Sequence, residues 1–188
     1  MRYILFFLLL IGEKAVAQTV ATVRWSAYHP SEKSDTIYYD PAKKLIWRNF
    51  KGTAGEPAEA AALTSSGFGY DAMVRMSGGR ITIIIDVYCY FSKERSWVRK
   101  GYETDYALNH EQHHFDVTYI VANNFINKLN KAAFTAGNYS DLIEKIYRES
   151  CNELDKMQND YDGQTSNGRL KDIQDEWNKK INQQLSLL

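Results

Sequence analysis

Between Arg80 and Phe91 the chain alternates. Ile81, Ile83, Ile85, Val87, Cys89 and Phe91 fall on one side and Arg80, Thr82, Asp86 and Tyr88 on the other, with Ile84 the one exception. A side-chain period of two means an extended strand with one face buried. Ser77-Gly78-Gly79 just before it is a hairpin signal, so Leu63–Met76 is expected as its antiparallel partner. Past Glu103 the period changes. Phe115, Tyr119, Ala122, Ile126 and Leu129 recur at helical spacing up to about Phe134, with Val117, Val121 and Phe125 beside them. So wide an apolar stripe predicts a helix covered on more than one side. Strands first and helices second imply an α+β domain.

Around this frame the remaining elements follow. Thr19–Tyr28 and Thr36–Tyr39 read as shorter strands on either side of a turn at His29–Asp35, and Thr53–Ala62 reads as a small-residue loop. Gly137-Asn138 ends the first helix, and Leu142, Ile143, Ile146, Tyr147, Leu154 and Met157 mark a second over about 140–160. Tyr161–Gly168 is polar and turn-rich, and is expected to be a loop. Ile173, Trp177 and Ile181 then mark a third helix, whose mixed charges suit a solvated face. Trp47, Phe50, Trp97 and Trp177 are expected as core anchors rather than substrate platforms. With 188 residues, 44% of them hydrophobic, the chain has enough apolar surface for the core of one domain.

The first seventeen residues have a separate logic. Arg2 precedes a greasy run from Tyr3 to Gly12, and Ala15-Val16-Ala17 supplies the small residues of a cleavage site. This is the layout of a secretory signal peptide, and the run is too short to span a bilayer. The expectation is a leader over residues 1–17, cut after Ala17, and a mature domain over 18–188 that is secreted or periplasmic. Cleavage removes Arg2, Lys14 and Glu13, leaving 21 basic and 22 acidic side chains. A near-neutral balance speaks against nucleic acid or an anionic membrane surface as partner. An oxidising compartment allows Cys89 and Cys151 to pair, the alternative being two buried thiols, and a disulfide is the expectation.

Chemistry is concentrated in the histidines. There are four, and three fall in His110-Glu111-Gln112-His113-His114. The H-e-x-x-h spacing of His110, Glu111 and His114 on a helix puts two imidazoles one turn apart on one side, where both can hold one metal. Zinc suits neutral imidazole nitrogens and lowers the pKa of a bound water to near 7. Glu111 is then placed to act as general base toward that water and to pass the proton to a leaving amine. Hydrolysis of a peptide or amide bond is the natural use. His113 points elsewhere and is expected at the surface or behind the ligands. His29, beside Pro30 in a turn, is expected to be exposed.

The stretch Leu108–Asp116 resembles the core L-N-H-E-Q-x-H-F-D signature of the DUF922 family of secreted bacterial zinc-dependent proteases. Other pieces follow in order: Leu45–Gly52 is similar to the family's L-x-W-x-D-F-x-G element, Leu63–Gly67 to its small-residue strand, and Ser96-Trp97-Val98 to its S-W-V. Tyr161–Thr165, Gln174 and Trp177 resemble the closing Y-D-x-E-T-x-H-G…Q-x-x-W. The resemblance implies a zincin-like fold: an antiparallel or mixed N-terminal sheet packed on the central active-site helix, followed by two further helices. It also implies a strand upstream of that helix able to pair with an extended substrate. Three positions depart from the pattern, with Asn49 in place of Asp, Gln164 in place of Glu and Asn167 in place of His. Amides are poor zinc ligands, so a metal shell completed through 164 or 167 would be weakened.

A zinc site needs a third protein ligand, and the candidates are Asp162, Glu144, Glu149 and Glu153. Asp162 is preferred because Tyr161-Asp162 keeps the family pattern and a loop could fold over the site; the competing reading is a turn aspartate bonded to its own backbone. For Tyr161, packing is preferred over a role at an oxyanion. The leading expectation is therefore a secreted or periplasmic zinc metallopeptidase acting on a peptide or protein. The alternatives are a non-catalytic envelope module that keeps the fold, motivated by Gln164 and Asn167, and a cell-wall amidase.

Overall fold

The computed structural model describes residues 18–27, 34–55 and 60–188. The leader and His29 lie outside the described residues. Among the described residues six strands and three α-helices follow in order: β1 (Gln18–Trp25), β2 (Thr36–Tyr38), then after a 3-10 turn at Trp47–Asn49 β3 (Ala62–Leu63), β4 (Ser66–Ser77), β5 (Arg80–Ser92), β6 (Trp97–Val98), α1 (Asp105–Lys131), α2 (Tyr139–Thr165) and α3 (Lys171–Leu185). Among the described residues no helix is long and apolar enough to cross a membrane.

The alternating strand β5 is the centre of a mixed sheet. β4 runs antiparallel along one whole edge, from Ser77 opposite Arg80 to Ser66 opposite Phe91. Gly78 and Gly79 close that hairpin at φ +57° and +74°, the left-handed values that a two-residue turn between twisted strands requires. The other edge is shared end to end. β1 lies parallel to Arg80–Val87, and β2 lies antiparallel against Tyr90–Ser92. The expected first hairpin strand is shorter than its sequence suggests. Leu63 leaves it to pair with Trp97 in a separate two-stranded sheet of β3 and β6.

Ile81, Ile83, Ile85, Val87, Cys89 and Phe91 are all buried, as the period of two requires. Their face carries α1, whose Phe115, Val121, Ala122, Phe125, Ile126 and Leu129 complete the main core with Ile143 and Ile146 of α2. A second cluster forms on another side of α1, where Val117 and Ile120 meet Tyr161, Trp177 and Ile181. The wide stripe of α1 is explained: the sheet covers one side, α2 and α3 the others. Phe50, Trp97 and Trp177 are buried and Trp47 packs at the core's edge, all as anchors.

Two expectations are corrected. Cys89 and Cys151 are both free thiols; Cys89 is buried on the sheet's inner face, where its thiol is pushed up by burial, and Cys151 sits half-buried on α2. Tyr161–Thr165 is not loop. It forms the last turn of α2, because Tyr161 and Thr165 are fully buried one turn apart and anchor that polar stretch as helix. The turn to α3 comes at Ser166-Asn167-Gly168, at φ +52°, +53° and +75°.

Candidate metal centre

The amino-terminal half of α1 forms the floor of a cleft of about 860 Å3. Thr104 caps the helix, its hydroxyl oxygen accepting from the Ala107 amide at 3.1 Å, and so sets where the first turn begins. His110, Glu111 and His114 then line the floor. Residues 60–66, which include β3, form one wall, and Leu154, Asp155, Gln158 and Asp162 of α2 line another. Thr64 ties wall to floor by donating to the Glu111 carbonyl at 3.1 Å.

Three ligand-type atoms meet on this floor. His110 Nε2 and His114 Nε2 are 3.2 Å apart, and Asp162 Oδ1 lies 3.1 Å from the first and 3.0 Å from the second. Three ligands about 2.0 Å from a tetrahedral ion stand roughly 3.3 Å from one another, so the triangle is close to the dimensions of a metal shell. Its donor set, two imidazoles and a carboxylate, could hold a metal ion. Beside it, Glu111 Oε2 is buried and has no hydrogen-bond partner among the described residues. A buried carboxylate oxygen without a donor is costly, and Glu111 lines the same cleft as the three ligand-type residues, close enough to raise the pKa of His114. The residues fit a divalent metal.

The electrostatics agree. Burial opposes a charge on His114, but the hydrogen bond to Asp162 and the nearby Glu111 outweigh it, and its pKa is pushed up to about 9. Burial likewise opposes the Asp162 carboxylate, yet His110 and His114 hold its carboxyl well below the usual range. The site attracts positive charge.

Of the sequence candidates, the structure brings His110, Glu111, His114 and Asp162 together. Asp162 reaches the site from a helix, not from a loop closing over it. The other three acids are elsewhere: Glu144 pairs with Arg148, Glu149 with Lys145, and Glu153 with Lys128. Gln164 accepts from the Trp177 indole at 3.0 Å, and neither it nor Asn167 supplies an atom to the triangle. Tyr161 is fully buried, its ring stacked 4.7 Å from that of His110. The surface alternative for His113 fails, since the ring is buried and contacts Asp116 at 3.0 Å through Nδ1.

Two residues escaped sequence reasoning. Gln174 Oε1 lies 2.8 Å from His110 Nδ1, and Gln158 Oε1 contacts His114 Nδ1. Gln174 matched the family's closing motif without a role. Gln158 stands one helical turn before Asp162, a spacing that becomes a signal only once 161–165 is known to be helix. Gly168 completes the surround. Its backbone passes so close that a Cβ would sit 3.2 Å from His110 Nδ1, and its carbonyl accepts from the Tyr106 hydroxyl at 2.7 Å. Comparison of the chain with family models, curated proteins and solved structures returns no match.

Proposed function

We propose that this protein is an exported zinc-dependent metallopeptidase, with His110, His114 and Asp162 as metal ligands and Glu111 as general base. One observation carries the reading: three converging acceptor atoms 3.0–3.2 Å apart, with the unpartnered Glu111 carboxylate oxygen beside them, on the floor of an open cleft. Zinc bound there would supply Lewis acidity, polarising the scissile carbonyl and making a water acidic. Glu111 takes a proton from the attacking water and delivers it to the departing amine. The small-residue wall at Ala60, Ala61 and Ala62 leaves room for an extended chain along the floor. The resemblance to the DUF922 proteases supports the same reaction, and the leader-like residues 1–17 support export. The positions that depart from that family, Gln164 and Asn167, carry no ligand in this arrangement.

The test is elemental analysis of the purified protein after zinc loading, alongside His114→Ala and Asp162→Ala. Near-stoichiometric zinc in the wild type, lost in both variants, is the expected result. Glu111→Gln should keep its zinc yet cleave a peptide library about 10²–10⁴ times more slowly. A wild type that takes up no zinc would sink the proposal. One that is loaded but inert would support the envelope-module alternative.

A further inference from the structure

The two histidines present their Nε2 atoms to the cleft because of groups that never touch the metal position. Backbone carbonyls only accept hydrogen bonds, and two of them settle the arrangement. The Tyr161 hydroxyl lies 3.4 Å from the His110 carbonyl and donates its single proton there. Its oxygen is left to accept, and Gln174 Nε2 is the donor. The same amide nitrogen donates to Asn178 Oδ1 at 2.7 Å. With its nitrogen turned that way, Gln174 must show its carbonyl oxygen to His110 Nδ1. An acceptor at that atom requires a proton on Nδ1, so that in the neutral ring the lone pair is the one on Nε2.

His114 has a shorter relay. Gln158 Nε2 donates to the His114 carbonyl at 2.9 Å and to Thr118 Oγ1 at 3.2 Å. The Thr118 hydroxyl has the same carbonyl at 3.0 Å and Ser66 Oγ at 2.7 Å as outlets for its proton, and its oxygen is free to accept from Gln158 in either case. Gln158 therefore turns its carbonyl oxygen to His114 Nδ1. In both relays the starting carbonyl belongs to the histidine being oriented.

We propose that Tyr161, Gln174 and Gln158 are positioning residues that hold a proton on Nδ1 of both histidines, so that Nε2 is the atom each ring offers to a divalent cation. This rests on the reading that His110 and His114 are metal ligands. The lock is built across all three helices, since Gln158 and Tyr161 belong to α2 and Gln174 to α3. Gln174 is fully buried, so water cannot replace its amide. A neutral amide also orients the ring without adding a negative charge that would favour a proton over the metal at Nε2.

The test uses nitrogen-15 NMR of the imidazoles in the metal-free protein, on the alkaline side of the His114 titration, together with zinc affinity by chelator competition. The wild type should show both rings protonated on Nδ1. Gln158→Met, at the half-buried rim, removes the acceptor at similar volume and should lower zinc affinity about 10–100-fold. Gln158→Glu, which keeps an acceptor at that position, should keep the His114 ring protonated on Nδ1. Tyr161→Phe frees the Gln174 amide to reverse and should add a second His110 signal protonated on Nε2. Wild-type rings protonated on Nε2 would overturn the proposal. So would a folded Gln158→Met with affinity within about two-fold of wild type. If the wild type takes up no zinc, the metallopeptidase reading fails, and the tautomers still decide the relay.

Discussion

Asp116, on α1, and Asp162, on α2, each stand beside histidines of α1, and their surroundings are opposite. Asp116 is completely buried, and every group around it donates: the Tyr39 hydroxyl at 2.7 Å, Gln112 Nε2 at 2.9 Å, His113 Nδ1 at 3.0 Å and Lys44 Nζ at 3.5 Å. Burial works against its charge, but these donors hold its carboxyl below the usual range. Gln112, through its other end, accepts from the Leu45 amide at 2.7 Å, so the assembly ties α1 to the segment after β2. At Asp162 the neighbouring Nε2 atoms are themselves acceptors when the rings are neutral and carry their protons on Nδ1. The first assembly closes around Asp116 and holds the fold, although His113 Nε2 is left buried without a partner. The second, on the proposed reading, is completed by a cation. Histidine beside aspartate is thus no sign of a site until donors and acceptors have been matched atom by atom.

The sharpest way to break the comparison is Asp116→Ala. It strands buried Gln112 and His113 and half-buried Tyr39, and should destabilise the protein by about 3–5 kcal/mol in urea unfolding, with zinc unable to rescue it. Asp162→Ala should show the reverse pattern, a folded protein without metal. Next in size is a pH effect confined to the metal-free protein. His114 has its pKa raised from an unfolded value of about 6.5 to about 9, so its contribution is fully present below pH 6.5. It is lost as pH rises through about 9. Thermal unfolding of metal-free protein should therefore shift to lower temperature between these values, and zinc-loaded protein should not show that alkaline loss. An identical alkaline slope in both forms would contradict the ligand assignment of His114.

Gly168→Ala is a smaller perturbation. A left-handed alanine costs about 1–2 kcal/mol, and its Cβ would press on the His110 ring, so a fall in melting temperature should come with weaker zinc binding. Glu144→Ala is the control. Its ion pair with Arg148 is exposed, so stability should move by no more than about 0.5 kcal/mol and zinc content not at all.

Much of this was legible in the residues, for reasons that can be named. The burial of β5 follows from a period of two, and the pairing of His110 with His114 from one turn of helix. Both are local. Asp162 was picked out by its place in a motif, yet its element was misread, because a polar run containing Gly163 looks like a turn until Tyr161 and Thr165 are seen to be buried. What stayed invisible was long-range. The two-residue strands β3 and β6 carry no periodicity, the parallel pairing of β1 with β5 has no turn to announce it, and Gln158 and Gln174 gain meaning only through partners on another helix. The expected disulfide failed for the same reason: compartment chemistry permits a bond that the placement of the two thiols does not make.

With both cysteines free, nothing covalent fastens the amino-terminal half of α1 to the end of α2, and on the proposed reading a cation does that work between residues 52 positions apart. Such a fastening differs from a disulfide in one respect: it lets go when the chain unfolds. Its contribution therefore scales with the free metal concentration, near 2.7 kcal/mol at about a hundred times the dissociation constant and vanishing under chelation. The lifetime of this protein would then report on the zinc supply of its surroundings.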